Sequence, residues 1–216
     1  MSRFFKTVAY VLTVHVLALA AFTIFRLIEF ITLGGMIADK EASVLTAFVK
    51  GLWFDNVIAC YVGVLPVTVL LVTAAFGLCR RWLLRGANMW YGVLFGVAFM
   101  PSAANTPYFQ YFFKNINSSI FEWFGYAGTT AGMVVGESSY LSYIALFVIV
   151  CAAYLFIVRR WLRHTNRQMM QVQNDQRTFA TSSHSVSSVT PRYKPIGLRL
   201  AATLLLIGCC IFGIRG

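Results

Sequence analysis

Few residues in this sequence are of the types that perform catalysis or bind metal ions. Its 216 residues include only seven Asp and Glu and three His, and these are scattered along the chain. None of the motifs HExxH, CxxC, GxSxG or the Walker phosphate-binding loop occurs. The sequence therefore predicts no catalytic residue, no cofactor-binding residue and no metal ligand in this chain.

Six polar residues in or near the predicted outer loops lie among aromatic residues in the sequence and are candidate site residues. The stretch from residue 108 to 126 reads YFQYFFKNINSSIFEWFGY, and nine of its nineteen residues are aromatic. Aromatic rings with a polar tip favour the boundary between lipid and water. A belt that only anchors the protein would have the same composition, so both interpretations stay open. The six candidates are Lys50, Asp55, Asn105, Tyr108, Lys114 and Asn117.

His15 and five cysteines lie within or at the ends of long apolar runs. An ionisable residue deep in such a run indicates a functional position by default, although a neutral imidazole that bonds to another helix would serve packing equally well. The cysteines lack metal-ligand spacing, and we interpret them as small apolar packing residues. They are Cys60, Cys79, Cys151, Cys209 and Cys210.

The composition is that of a polytopic membrane protein. Hydrophobic residues make up 59% of the chain, charged residues 12%, and the mean hydropathy is +0.72. Five runs are apolar, and four of them have the roughly 20 residues that a helix needs to cross a bilayer. The fifth run, 200–214, is about 15 residues long, and residues 196–198 extend it to a usable length if Arg199 reaches the interface. They are continuous rather than alternating, which favours helices over a barrel. We predict an all-α, five-transmembrane-helix bundle in a single membrane domain, 1–216, with spans of about 5–27, 55–79, 86–106, 138–160 and 197–214.

The basic residues are distributed asymmetrically between the predicted connections. Thirteen Lys and Arg and only Asp175 among the acids fall on one side, whereas five basic and six acidic residues fall on the other. By the positive-inside rule the first side is cytoplasmic, so the N-terminus lies inside and the C-terminus outside the cell membrane. Basic residues at the inner surface also attract anionic phospholipids, and the net charge of +11 requires no nucleic acid.

Three connections complete this topology: outer loops at 28–54 and 107–137, and a cytoplasmic linker at 161–196. The linker is polar and rich in Ser, Thr and Gln, although its first part could continue the fourth helix. The stretch EASVLTAFVKGLWFD and residues 109–124 both have apolar residues at helical spacing, which predicts interfacial amphipathic helices. We expect the third span to break between Pro101 and Pro107.

Three segments resemble a known family: KGLWFDNVIACYVGVLP at 50–66, ANTPYFQYFFKNINSSIF at 104–121 and IFGIRG at 211–216. They are similar to the N-terminal membrane domain of the lipoteichoic acid synthase-like phosphoglycerol transferases, a sulfatase-like group in the alkaline phosphatase superfamily. In that family K-G-x-R-F-D enters the second span and G-x-R-G follows the fifth. N-x-A-D-x-x-Y-F, followed by Lys or Arg and then Asn, leaves the third. This chain departs from the pattern at Trp53 and at Thr106-Pro107.

The resemblance implies a parent enzyme of the bacterial inner membrane. Such an enzyme moves a glycerol-phosphate or related head group from a lipid to an outer-surface acceptor through a phospho-Thr intermediate. Its catalytic domain, with a divalent metal ion (Mn, Mg or Zn), would follow residue 216. This chain would then anchor the enzyme and orient its substrate, and its partners would be membrane phospholipids and that extracytoplasmic domain. The resemblance also implies that the six candidate residues contact the lipid head group or the docked domain.

A second hypothesis is a self-contained five-span subunit that binds or transports a ligand without catalysis. The predicted spans contain almost no charge and no inverted repeat is detectable, which disfavours transport.

Overall fold

The computed structural model of this chain describes residues 3–34, 43–78, 81–117, 138–182 and 196–215, together with Gly128, Gly132 and Gly136. Over these residues the fold is all-α, as predicted, with five helices. We number them in chain order: α1 (Arg3–Leu33), α2 (Val44–Ala75), α3 (Arg81–Phe112), α4 (Ser138–Ser182) and α5 (Ile196–Arg215).

Four of these helices, α1, α2, α4 and α5, are long and apolar enough to cross a membrane. Together they indicate a multi-pass membrane protein. The predicted third span lies within α3, which has 32 residues but is less apolar because polar residues such as Asn88 and Asn105 interrupt its hydrophobic run. Four of the five predicted spans therefore correspond to helices long and apolar enough to cross a membrane, whereas α3 does not meet the criterion that those four helices meet.

Helix α3 joins three of the other helices. It packs against α1, α2 and α4, and its buried residues recur every three or four positions along one face. An aromatic column forms the middle of this face: Tyr91, Phe95 and Phe99 stack along α3, with ring centroids 6.0 and 5.8 Å apart. Phe22 of α1 and Tyr154 of α4 meet the Phe99 ring edge-on at 4.8 and 5.4 Å. This column joins three helices in one apolar core.

The helices alternate in direction, so the bundle has two chemically different ends. At one end Lys6 Nζ donates to Gln168 O at 2.9 Å, and Phe4 packs with Ala74, Ala75 and Ala202. We call this the basic end, because it carries residues Lys6, Arg81, Arg85, Arg159, Arg160, Arg163, Arg167 and Arg199. We call the other the aromatic end, since α3 ends there with Tyr108, Tyr111, Phe112 and the following Phe113.

Helix α3 runs through both of its prolines without a break. The expected end of this helix between Pro101 and Pro107 is wrong, because α3 continues to Phe112 and the chain turns at Phe113, whose φ is 54°. Membrane helices tolerate proline where neighbouring helices and local adjustments satisfy the freed backbone groups. The expected amphipathic helix over 109–124 is not continuous either, since 113–117 are not helical; its remainder lies outside the described residues.

One other connection differs from expectation and one agrees with it. Residues 44–54 form the first turns of α2 rather than a separate interfacial helix. Helix α4 is 45 residues long and reaches Ser182, in agreement with the expectation that the first part of the linker 161–196 could continue the fourth helix. Roughly 20 residues suffice to cross a bilayer, and α4 therefore extends well beyond one.

Candidate functional site

An ion pair joins α1 to α2 at the aromatic end. Arg26 Nη2 lies 2.7 Å from Asp55 Oδ2, and the two side chains are 22% and 8% exposed. An ion pair this far from water is weakly screened, and neither partner can be removed without leaving a poorly solvated charge. The sequence predicted Asp55 as a head-group or docking contact. In the fold it is a buried partner of α1.

Gly51 makes room for this ion pair. A Cβ atom at Gly51 would overlap the Arg26 guanidinium group. Gly51 and Asp55 are four residues apart and lie on the same face of α2. The guanidinium group therefore lies across the glycine and reaches the carboxylate one turn further along the helix.

A second polar cluster joins α1 to α3 and to the chain that follows α3. Asn105 Nδ2 donates to Glu29 Oε1 at 2.6 Å and to Asn115 Oδ1 at 3.2 Å, and Asn105 Oδ1 accepts from the Ile116 N–H at 2.9 Å. The turn at Phe113 brings residues 115 and 116 back to Asn105. Since Glu29 is three residues from Arg26, adjacent turns of α1 bind α2 and α3.

The six predicted site residues divide into two groups. Asp55 and Asn105 are structural partners of α1, whereas Lys50, Lys114 and Asn117 are exposed. Tyr108 is half-buried, and its ring centroid lies 4.7 Å from that of Phe112. We call the two pairs Arg26–Asp55 and Glu29–Asn105 the polar framework. It contains two of the six predicted residues, whereas both lysines are exposed.

Sequence reasoning missed Arg26, Glu29 and Gly51. The charges at 26 and 29 follow the first apolar run, and Asp55 precedes the second, so antiparallel helices would bring them to the same end. That signal was present in the sequence. The role of Gly51 was not visible, because it depends on which way the Arg26 side chain crosses α2.

A separate polar contact lies within the bundle. His15 Nε2 is 2.9 Å from Asn56 Oδ1, which joins α1 to α2. This agrees with the interpretation of His15 as an interhelical hydrogen-bonding residue. Both residues line a cavity of about 300 Å³ together with Cys60, Cys209 and Cys210.

The described cysteines differ in burial: Cys60 is buried, Cys151 and Cys210 are half-buried, and Cys209 is exposed. Over the described part of the chain, no group of three His, Cys, Asp or Glu could hold a metal ion. Cys60 lies at a close approach of α5 to α2, since a Cβ at Gly213 would be 2.7 Å from its Sγ. Cys79 lies outside the described residues.

Comparisons of this chain with models of protein families, with curated proteins and with solved structures find no match. The family resemblance therefore stays a prediction that rests on three segments of the sequence.

Proposed function

We propose that this chain is the membrane-anchoring and substrate-orienting domain of an extracytoplasmic phospho-head-group transferase of the lipoteichoic acid synthase-like type. In this proposal it is a five-span protein of the bacterial inner membrane, with the basic end in the cytoplasm and the aromatic end outside. The outer surface of the aromatic end would receive the lipid head group and the catalytic domain.

The observation that supports this proposal best is the polar framework at the aromatic end. Asp55 and Asn105 belong to two of the three segments that resemble the family, and each is held by a charged residue of α1. Ion pairs and charge-assisted hydrogen bonds fix geometry more strongly than exposed contacts do. A framework of this kind suits a surface on which a substrate must be oriented.

The six candidate residues then take two different roles. Lys50 and Lys114 are exposed cations at the aromatic end, and a lysine ammonium group attracts a phosphate as a point charge. Asn117 and Tyr108 lie on the same part of the chain and could contribute hydrogen bonds. Asp55 and Asn105 are positioning residues, because their polar atoms face α1 rather than a ligand.

The divalent metal ion of the proposed parent enzyme belongs to the catalytic domain that would follow residue 216. The described residues of this chain offer no set of three ligands for such an ion. We therefore assign no chemical step to this chain, and the phosphoryl transfer would take place on the docked domain.

The reading frame after Gly216 provides the first test. We expect a domain of several hundred residues with a Thr near metal-ligating Asp, Glu and His. A stop codon at that point would contradict the proposal and favour a self-contained membrane subunit.

The second test uses the full-length parent in vesicles that contain its lipid donor. Lys114→Ala should lower transferase turnover several-fold, while Arg85→Ala, which removes an exposed cation from the basic end, should leave turnover unchanged. Equal turnover in the two variants, at equal expression, would remove Lys114 from the substrate surface.

A further inference from the structure

Two adjoining cavities lie beside α5. A core cavity of about 300 Å³ is enclosed by α1, α2, α3 and α5, and a lateral cavity of about 440 Å³ lies between α2 and α5. Both are lined by Asn56 and Cys209, so they meet at these residues. Trp53, Leu205 and Phe212 of the lateral cavity are 56%, 65% and 75% exposed. The pair therefore opens on the side of the bundle.

The opening faces lipid rather than water. Helices α1, α2 and α5, which supply most of the lining, are all long and apolar enough to cross a membrane. The core cavity is largely hydrophobic, with Val8, Val11, Leu12, Val67 and Leu206 among its walls. Neither cavity is lined by Asp, Glu, Lys or Arg. An ionised head group would find no counter-charge there, whereas a hydrocarbon chain would find a matching surface.

One polar group lies at the junction of the two cavities. Because Asn56 Oδ1 can only accept, His15 Nε2 must carry the proton in their hydrogen bond. This hydrogen bond does not use the two hydrogens of Asn56 Nδ2, and Asn56 lines both cavities. An amide donor without an acceptor is unfavourable at membrane depth. A lipid ester carbonyl is an acceptor of suitable size and polarity.

One wall of the lateral cavity is helix α5, which has few contacts with helices other than α2. Helix α5 packs chiefly against α2, and only 6% of its most apolar stretch is buried. Its close approach to α2 is at Gly213, near Cys60 and Asn56. A Cβ at Gly208, which lines the lateral cavity, would have open space around it. A larger side chain at this position would therefore fit and would occupy part of the lateral cavity.

We propose that the two cavities form a binding site for one acyl chain of an ester-linked membrane lipid, which enters from the bilayer between α2 and α5. The end of the chain lies in the core cavity, its ester carbonyl accepts a hydrogen bond from Asn56 Nδ2, and the rest of the lipid leaves through the lateral cavity. The site does not depend on the proposed transferase role, because it is defined by chain binding alone.

Photo-labelling of the purified full chain tests this site directly. The protein is reconstituted in vesicles of phosphatidylethanolamine and phosphatidylglycerol that contain a small fraction of a diester phosphatidylcholine with a diazirine in one acyl chain. After irradiation, labelled residues are mapped by mass spectrometry. We expect label on Val67 and Leu206 of the core cavity, as well as on Phe156, which is 62% exposed on α4.

Matched variants separate the site from ordinary lipid contact. Gly208→Leu should lower the label on Val67 and Leu206 several-fold and leave the label on Phe156 unchanged. Gly197→Leu makes the same substitution on α5 at another position with open space, outside both cavities, and should change neither. Unchanged core label in Gly208→Leu would overturn the proposal. Should that variant not fold, the wild-type map decides, because core residues without label would overturn the proposal equally.

A matched ether lipid tests the role of the carbonyl. This probe carries the same diazirine but has an ether in place of the ester and therefore lacks the carbonyl oxygen. We expect it to label the core cavity several-fold less than the ester probe. Equal core labelling by the two probes would overturn the assignment of the carbonyl to Asn56. These experiments measure lipid binding only. Their outcome would therefore be the same if the proposed transferase function were wrong.

Discussion

The two ends of this bundle use charge in different ways. At the basic end Arg159, Arg160, Arg163 and Arg167 of α4 are all exposed. At the aromatic end, by contrast, Arg26 pairs with Asp55 and Glu29 accepts a hydrogen bond from Asn105, so these charged residues contact other helices. The basic end therefore presents many exposed positive charges to the membrane surface, whereas the aromatic end uses charge for specific contacts between helices.

This difference predicts where substitutions affect stability. Replacing an exposed arginine at the basic end should change the free energy of unfolding by no more than about 0.5 kcal/mol, as is usual for surface positions. The paired residues at the aromatic end should be far more sensitive, because removing one partner leaves the other poorly solvated.

Asp55→Leu should have the largest effect. It leaves the Arg26 guanidinium group without its partner, and we expect a loss of about 3 kcal/mol in the free energy of unfolding, measured by denaturant titration in mixed micelles. The double variant Arg26→Leu with Asp55→Leu is the control, and it should recover most of this loss. Strictly additive losses in the double variant would contradict the ion pair.

Asn105→Ala should rank next. It removes the hydrogen bond to the Glu29 carboxylate along with the contacts to Asn115 and Ile116, and hydrogen bonds to charged groups contribute about 1.5 to 3 kcal/mol each. Asn115→Ala removes only the 3.2 Å bond and should destabilise less in the same titration. Equal losses of stability in the two variants would show that the hydrogen bond from Asn105 to Glu29 does not contribute to stability.

Gly51→Ala should weaken the ion pair without removing either charge. The new Cβ displaces the guanidinium group, at an expected loss of about 1 to 3 kcal/mol for overpacking. Gly86→Ala makes the same change in α3, where space is open, and should stabilise the helix by up to about 1 kcal/mol. A stabilised Gly51→Ala protein would mean that Arg26 does not cross Gly51.

His15→Leu should have the smallest effect in this series. Hydrogen bonds between membrane helices contribute about 0.6 kcal/mol on average, and this variant removes one. Thr13→Val is the control, because the Thr13 hydroxyl bonds within its own helix to Ala9 O. A loss of stability as large as that of Asp55→Leu would show that the His15–Asn56 hydrogen bond contributes as much to stability as the Arg26–Asp55 ion pair.

Much of the fold could be predicted from hydrophobic runs, but the framework could not. Continuous apolar stretches determine helices because the backbone must bond internally in lipid. The pairing of Arg26 with Asp55 depends on helix rotation and on the missing side chain at Gly51, and neither follows from composition.

The errors have a physical origin as well. Pro101 and Pro107 were expected to end the third span, because the rule for proline comes from helices in water. Helix α3 instead continues for another turn after Pro107, packed at its centre against three neighbours. The sequence left open how far α4 continues past residue 160, because residues 161–182 are too polar to signal a packed element.

Thiol labelling in intact cells tests the central claim that the two ends face opposite sides of the membrane. Lys114→Cys and Arg85→Cys place one exposed thiol at each end, and the wild-type chain provides the background from its own cysteines. We predict that a membrane-impermeant maleimide labels the Lys114→Cys protein in intact cells and the Arg85→Cys protein only after the cells are opened. Labelling in the reverse order would contradict the proposed orientation and the outer substrate surface with it.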